Sequence, residues 1–148
     1  MGDPGRARVR EAMGRVCQSL EGRASVAELL WPDQAEGLLR SEASLVVVLG
    51  GDGTILGVAR AMGNRPRPIA GVNLGRLGYL AEFSVEEICQ AVGGMLDGSL
   101  PVVGRMMLDV SMMPARGKAF ESLAVNDCVI QAGPPFRMIE LAIYVDGR

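Results

Sequence analysis

The sequence predicts an α/β protein in which a parallel sheet covered by helices is followed by the start of a second, β-rich unit. Two observations carry this. Up to about residue 98, short apolar runs ending in glycine turns alternate with segments of helical period, and beyond Asp97-Gly98 the apolar period changes to strict alternation. The expected division is therefore residues 1–98 and residues 99–148.

Val9, Met13, Val16 and Leu20 recur at helical spacing, so the chain opens on an amphipathic helix. Residues 24–30 fit no single period, and Trp31-Pro32-Asp33 interrupts them before a short helical stretch around Ala35 to Leu39. Leu45-Val46-Val47-Val48-Leu49 is a continuous β-branched run ending at Gly50-Gly51, the pattern of a parallel strand covered on both faces. Ile55, Val58, Ala59 and Met62 then follow a helical period. A second strand at Ile69–Val72 runs into the glycine turn Asn73-Leu74-Gly75-Arg76-Leu77-Gly78. Ser84 with Glu87 forms a capping box, ahead of a helix whose apolar face is Val85, Ile88, Cys89, Val92 and Leu96. In the second unit Leu108, Val110 and Met112 alternate as one strand and Ile139, Leu141, Ile143 and Val145 as another. Asp146-Gly147 closes that strand with a type I′ hairpin signal, so a partner strand is expected beyond Arg148. Met106, Met107, Met112 and Met113 are expected to fill core gaps.

Composition narrows the chemistry. Fifteen Lys+Arg against seventeen Asp+Glu give a net charge of -2, which supplies no basic surface for a nucleic acid or an anionic membrane. With no histidine, the Ser-His-Asp triad and His-ligated metals are excluded, and acid–base work falls to carboxylates. Cys17, Cys89 and Cys128 are odd in number and far apart, as expected of thiols in a reducing cytoplasm.

Gly50-Gly51-Asp52-Gly53-Thr54 lies between a strand and a helix, where glycines permit positive φ and close backbone approach, and a helix N-terminus favours anions. It lacks the ending of a Walker A loop and the spacing of GxGxxG. Asp52 would repel a phosphate, but a hydroxyl can donate to it and then lose its proton, so it suits activation of an attacking hydroxyl. The same carboxylate also suits a turn or a helix cap.

Together, Gly50-Gly51-Asp52-Gly53-Thr54, Asn73-Leu74-Gly75-Arg76-Leu77-Gly78-Tyr79-Leu80 and Asn126-Asp127-Cys128-Val129-Ile130 resemble the NAD kinase family in order and approximate spacing, as does Arg137-Met138-Ile139-Glu140 leading into Tyr144-Val145-Asp146-Gly147. The first element alone is shared with diacylglycerol and sphingosine kinases, and the second narrows the match. The resemblance implies a Rossmann-like first domain and a sandwich-like second one. It implies transfer of the γ-phosphoryl of ATP to the adenosine ribose 2′-hydroxyl of NAD, with Mg²⁺ on the phosphates, in a dimer or tetramer. By position, Asp52 matches the family's proton acceptor, and Gly50, Gly51, Gly53 and Thr54 its phosphate loop, Gly53 being a nucleotide contact. Asn126 and Asp127 match its NAD-binding pair, Tyr79 an aromatic at the pocket wall, and Arg137 a further NAD contact; no residue matches a metal ligand. Read without the family, Asn126-Asp127 also fits a turn, Tyr79 a core position and Arg137 a surface charge.

The family's usual opening strand and its second glycine-rich element, of the type STPTGSTAY, have no counterpart in the sequence. A lipid kinase and a non-catalytic nucleotide-binding or assembly module are the alternative expectations.

Overall fold

The computed structural model describes residues 4–26, 37–75, 78–135 and 137–148, with residues 4–6 in backbone alone. In chain order the elements are α1 (Pro4–Leu20), β1 (Val46–Leu49), α2 (Asp52–Met62), β2 (Ile69–Val72), α3 (Val85–Leu96), β3 (Met107–Met112) and β4 (Phe120–Val125). The first helix ends at a left-handed glycine, Gly22 at φ 69°, whose neighbours Arg23 and Ala24 both donate to the Leu20 carbonyl. Of the helical stretch expected around Ala35 to Leu39, residues 37–39 form a short 3₁₀ turn and the rest lies outside the described residues.

β1 and β2 pair in parallel, Val46 opposite Ile69 and Leu49 opposite Val72, and the Gly50 amide extends the ladder by donating to the Val72 carbonyl at 2.9 Å. Both faces of this pair are covered, as the β-branched run requires. On one face Val46 and Val48 pack with Ile55 and Met62 of α2, Leu38 and Ala81. On the other, Ala70 and Val72 pack with Val16 of α1 and Ile88 of α3, with Val47 and Leu49 alongside. A parallel pair between helix layers is the expected α/β arrangement.

The chain leaves β2 at Asn73 and returns at Phe83, which lies parallel beside Val72. The Asn73 amide donates to the Phe83 carbonyl at 2.7 Å, and the Phe83 amide to the Gly71 carbonyl at 3.1 Å. Asn73 and Phe83 are therefore held together beside β2, on the edge away from β1. The next helix starts with the expected capping box: Ser84 Oγ accepts from the Glu87 amide at 3.2 Å and the Glu87 carboxylate from the Ser84 amide at 2.7 Å.

β3 and β4 form a separate antiparallel ribbon, Met107 opposite Val125 and Met112 opposite Phe120, and α2 lies against β4. β4 was not foreseen, because Leu123, Ala124 and Val125 follow one another without alternation. Two expectations are corrected in this unit. Residues 139–145 do not form a strand: among the described residues no neighbouring strand accepts their amides, and alternation yields a strand only where a ladder exists. The methionines are not core filler, since Met106, Met107, Met112 and Met113 are all exposed, Met113 by 86%. Met106 and Met112 point to one face of the ribbon and Met107 and Met113 to the other, and neither pair is covered among the described residues. The Asp146-Gly147 turn does form, with φ of 50° and 76° and reciprocal hydrogen bonds between Val145 and Arg148 at 2.9 and 3.0 Å.

Candidate functional site

Gly51 is the N-cap of α2 and makes no side-chain cap, while Thr54 and Ile55 donate back to its carbonyl at 3.0 and 3.3 Å. The amides of Asp52 and Gly53 precede the first intrahelical donors, so they are free to meet a ligand, and the helix end carries partial positive charge. One expectation changes: Gly50, Gly51 and Gly53 do not use positive φ. Their contribution is steric. A side chain at Gly50 would meet Thr54 Oγ1 at 2.6 Å, whereas Gly51 and Gly53 face open space that a ligand could enter.

Asp52 is not a loop residue but the first residue of α2. Its carboxylate reaches the segment after β2, where Oδ2 accepts from the Tyr79 amide at 2.8 Å and Oδ1 accepts from the Leu80 and Ala81 amides at 3.0 and 3.3 Å. These amides, Tyr79 and Leu80 foremost, hold the carboxyl below the ordinary aspartate value of 3.8 by stabilising its charged form. A carboxylate offers about four acceptor positions. Oδ2 carries a single amide and so keeps a position for a donor hydroxyl.

The other expected residues are distributed around this point. Tyr79 takes part through its backbone, and the residue is 93% exposed and so not part of the core. Asn126 follows β4 directly with φ 66°, its amide donating to the Met106 carbonyl at 2.8 Å, and the Asp127 amide donates to the Val125 carbonyl at 2.9 Å. Both side chains are exposed at the end of the strand that α2 lies against. Arg137 is exposed in the segment after the ribbon. The structure thus joins the first two motif segments by hydrogen bonds. It brings the third to the neighbourhood only through β4. The sequence reading did not anticipate the amides of Leu80 and Ala81 as partners of Asp52; the glycine at position 78 was their one available signal.

Comparison with known proteins follows the same segments. Residues 1–100 match the family described as "ATP-NAD kinase N-terminal domain". The NAD kinase of Geotalea daltonii is 47% identical over 107 residues, covering 72% of this chain and 38% of that protein. The NAD kinase of Aromatoleum aromaticum is 42% identical over 108 residues, covering 73% and 36%. The chain spans little more than a third of the length of these curated relatives. Among solved structures, yeast NADH kinase complexed with NADH is similar with a TM-score of 0.63 at 23% identity, covering 82% of this chain and 44% of that one, which establishes the likeness of fold.

Proposed function

The chain belongs to the ATP-NAD kinase family, and from that membership we propose that it carries the acceptor side of an NAD kinase, which makes NADP from NAD and ATP. The observation that supports this best is the meeting of two motif segments at one carboxylate, Asp52 with the amides of residues 79–81. In the proposed reaction the adenosine ribose 2′-hydroxyl of NAD donates to Asp52 Oδ2. Its oxygen forms the new bond to the γ-phosphorus of ATP as the bond to the β-phosphate oxygen breaks. ADP leaves with that electron pair, and the hydroxyl proton passes to Asp52.

A carboxylate held below its ordinary pKa is a weak base, and the transition state explains why that suffices. In a loose phosphoryl transfer the nucleophile loses its proton late, so orientation matters more than basicity. A carboxylate fixed by three amides supplies orientation. Gly50, Gly51, Gly53 and Thr54 are proposed to face the phosphates through the open start of α2, and Asn126, Asp127, Tyr79 and Arg137 to contact NAD. Mg²⁺ would assist by neutralising phosphate charge. Among the described residues no three acidic or thiol groups cluster, so the substrate phosphates would supply most of its ligands.

The division near residue 98, a homo-oligomeric assembly and a cytoplasmic location belong to the same proposal. In its support, the two sheets share no strand, the three cysteines are unpaired, and no helix among the described residues is long and apolar enough to cross a membrane.

The test is titration of the chain with NAD by amide NMR, together with an assay for NADP formation from ATP and NAD. Shift changes are expected at residues 51–54, 79–81 and 126–127, and Asp52→Asn should remove any turnover. Shifts unmoved at millimolar NAD, or an Asp52→Asn protein as active as the parent, would overturn the assignment. Equal phosphorylation of diacylglycerol would favour the lipid-kinase reading.

A further inference from the structure

We propose that Gly78 is a positioning residue for Asp52: its missing side chain lets the chain come close enough to the carboxylate for the amides of Tyr79, Leu80 and Ala81 to fix its orientation. The inference rests on the reading of Asp52 as the acceptor of the substrate hydroxyl and adds what holds it in place.

A methyl group at Gly78 would stand 2.5 Å from Asp52 Cγ and 2.6 Å from Oδ2, and closer still to Oδ1. All three are atoms of the carboxylate group. These are the three atoms nearest to that methyl group, and Gly78 does not occupy the left-handed region, so alanine could hold the same backbone. The atoms that must yield are therefore those of the Asp52 side chain. Rotating them away lengthens or breaks the three bonds at 2.8, 3.0 and 3.3 Å.

Gly71 marks the contrast. A methyl group there would meet Ile55 Cδ1 at 2.5 Å and the backbone of the same segment, Ala81 Cα and Leu80 O, both at 3.1 Å. Backbone steps aside less readily than a carboxylate does, so this glycine lets residues 80–81 seat against β2. The two glycines divide the work: Gly71 lets the segment lie on the sheet, and Gly78 lets it enclose Asp52. A substitution at the first disturbs packing, and one at the second displaces the reacting group.

The experiment is a ¹³C NMR titration of the Asp52 carboxyl in the 148-residue chain, its signal assigned by loss in Asp52→Asn, for the parent and for Gly78→Ala. The parent should titrate below the ordinary value of 3.8, and Gly78→Ala should move back up toward it while amide shifts in α1 and β1 stay unchanged. A Gly78→Ala protein whose Asp52 titrates where the parent's does overturns the proposal. If Gly78→Ala does not fold, the parent decides: the amide protons of Tyr79, Leu80 and Ala81 should follow the Asp52 titration, and amides that stay flat through it overturn the proposal equally. The readout uses no nucleotide. An active Asp52→Asn enzyme would sink the proton-acceptor role and leave the clamp standing, whereas an unmoved titration would sink the clamp and leave that role open.

Discussion

Thr54 stands against Gly50: a Cβ at position 50 would lie 2.6 Å from Thr54 Oγ1 and 2.9 Å from Thr54 Cβ. The second of those atoms is fixed to the helix backbone, so relief requires the start of α2 to move off the end of β1. Gly50→Ala is accordingly expected to destabilise the fold by about 1–3 kcal/mol, the usual range for overpacking. Thermal denaturation measures it. A midpoint equal to the parent's would mean that α2 is less firmly seated than its geometry indicates.

Gly53 gives the opposite sign. It lies in the first turn of α2 with open space beside it, so alanine there should stabilise the helix by up to roughly 1 kcal/mol. If the bare backbone is kept for close approach of a nucleotide, Gly53→Ala should gain stability and lose NAD affinity together. A gain in stability with unchanged NAD affinity would remove Gly53 from the proposed site.

Legibility in the sequence followed the range of the interactions involved. Val46–Leu49 and the Ser84–Glu87 capping box were readable because composition and spacing within a few residues determine them. The clamp on Asp52 was not, because its donors lie 27, 28 and 29 residues away and are backbone amides, which any residue type but proline supplies. The segment 139–145 failed in the reverse direction. Its alternation is strand-like, but a strand depends on a partner that local pattern does not contain.

The carboxyl groups set the response to acid. Asp52, Glu86, Glu87 and Asp97 all have pKa values lowered in the folded state, by the Tyr79 and Leu80 amides, by Arg15, by Ser84 and by Ser99 respectively. A depressed folded pKa contributes stability that is fully present above the unfolded value and lost as pH falls through the folded one. With ordinary values of 3.8 for Asp and 4.5 for Glu, the thermal midpoint should be level from neutral pH to about 5.5 and fall below it. Asp52→Asn should make that fall shallower. An acid limb identical to the parent's would show that the three amides do not stabilise the charged form.

The start of α3 separates a local bond from a long-range one. Ser84 Oγ caps the Glu87 amide, and Ser84→Ala should lower stability by about 1 kcal/mol. The Arg15–Glu86 pair, at 2.6 Å, joins α1 to α3 across solvent with 47% and 62% of the two side chains exposed. Water and salt screen such a pair, so Arg15→Ala should move the midpoint less than Ser84→Ala, and 0.5 M salt should narrow the effect of Arg15→Ala further. The reverse ranking would make the ion pair, and not the cap, the main tie of α3.

The ribbon of β3 and β4 leads to the last expectation. Met112 and Phe120 sit opposite one another and are both exposed, with Met113 next to them, while Ile143 is 81% exposed in the segment that follows. Neither strand has a second neighbour among the described residues, so each presents unpaired amides and carbonyls beside apolar side chains. Such edges pair with other chains unless charge prevents it. Light scattering on the isolated chain should therefore show a mass that rises with protein concentration. Phe120→Lys should suppress the rise without lowering the thermal midpoint, because the side chain it replaces packs against little. A clean monomer of the parent at high concentration would show that this edge is already protected. An equally associating Phe120→Lys would place the sticky surface elsewhere, with the segment from Val129 to Val145 next to be tested.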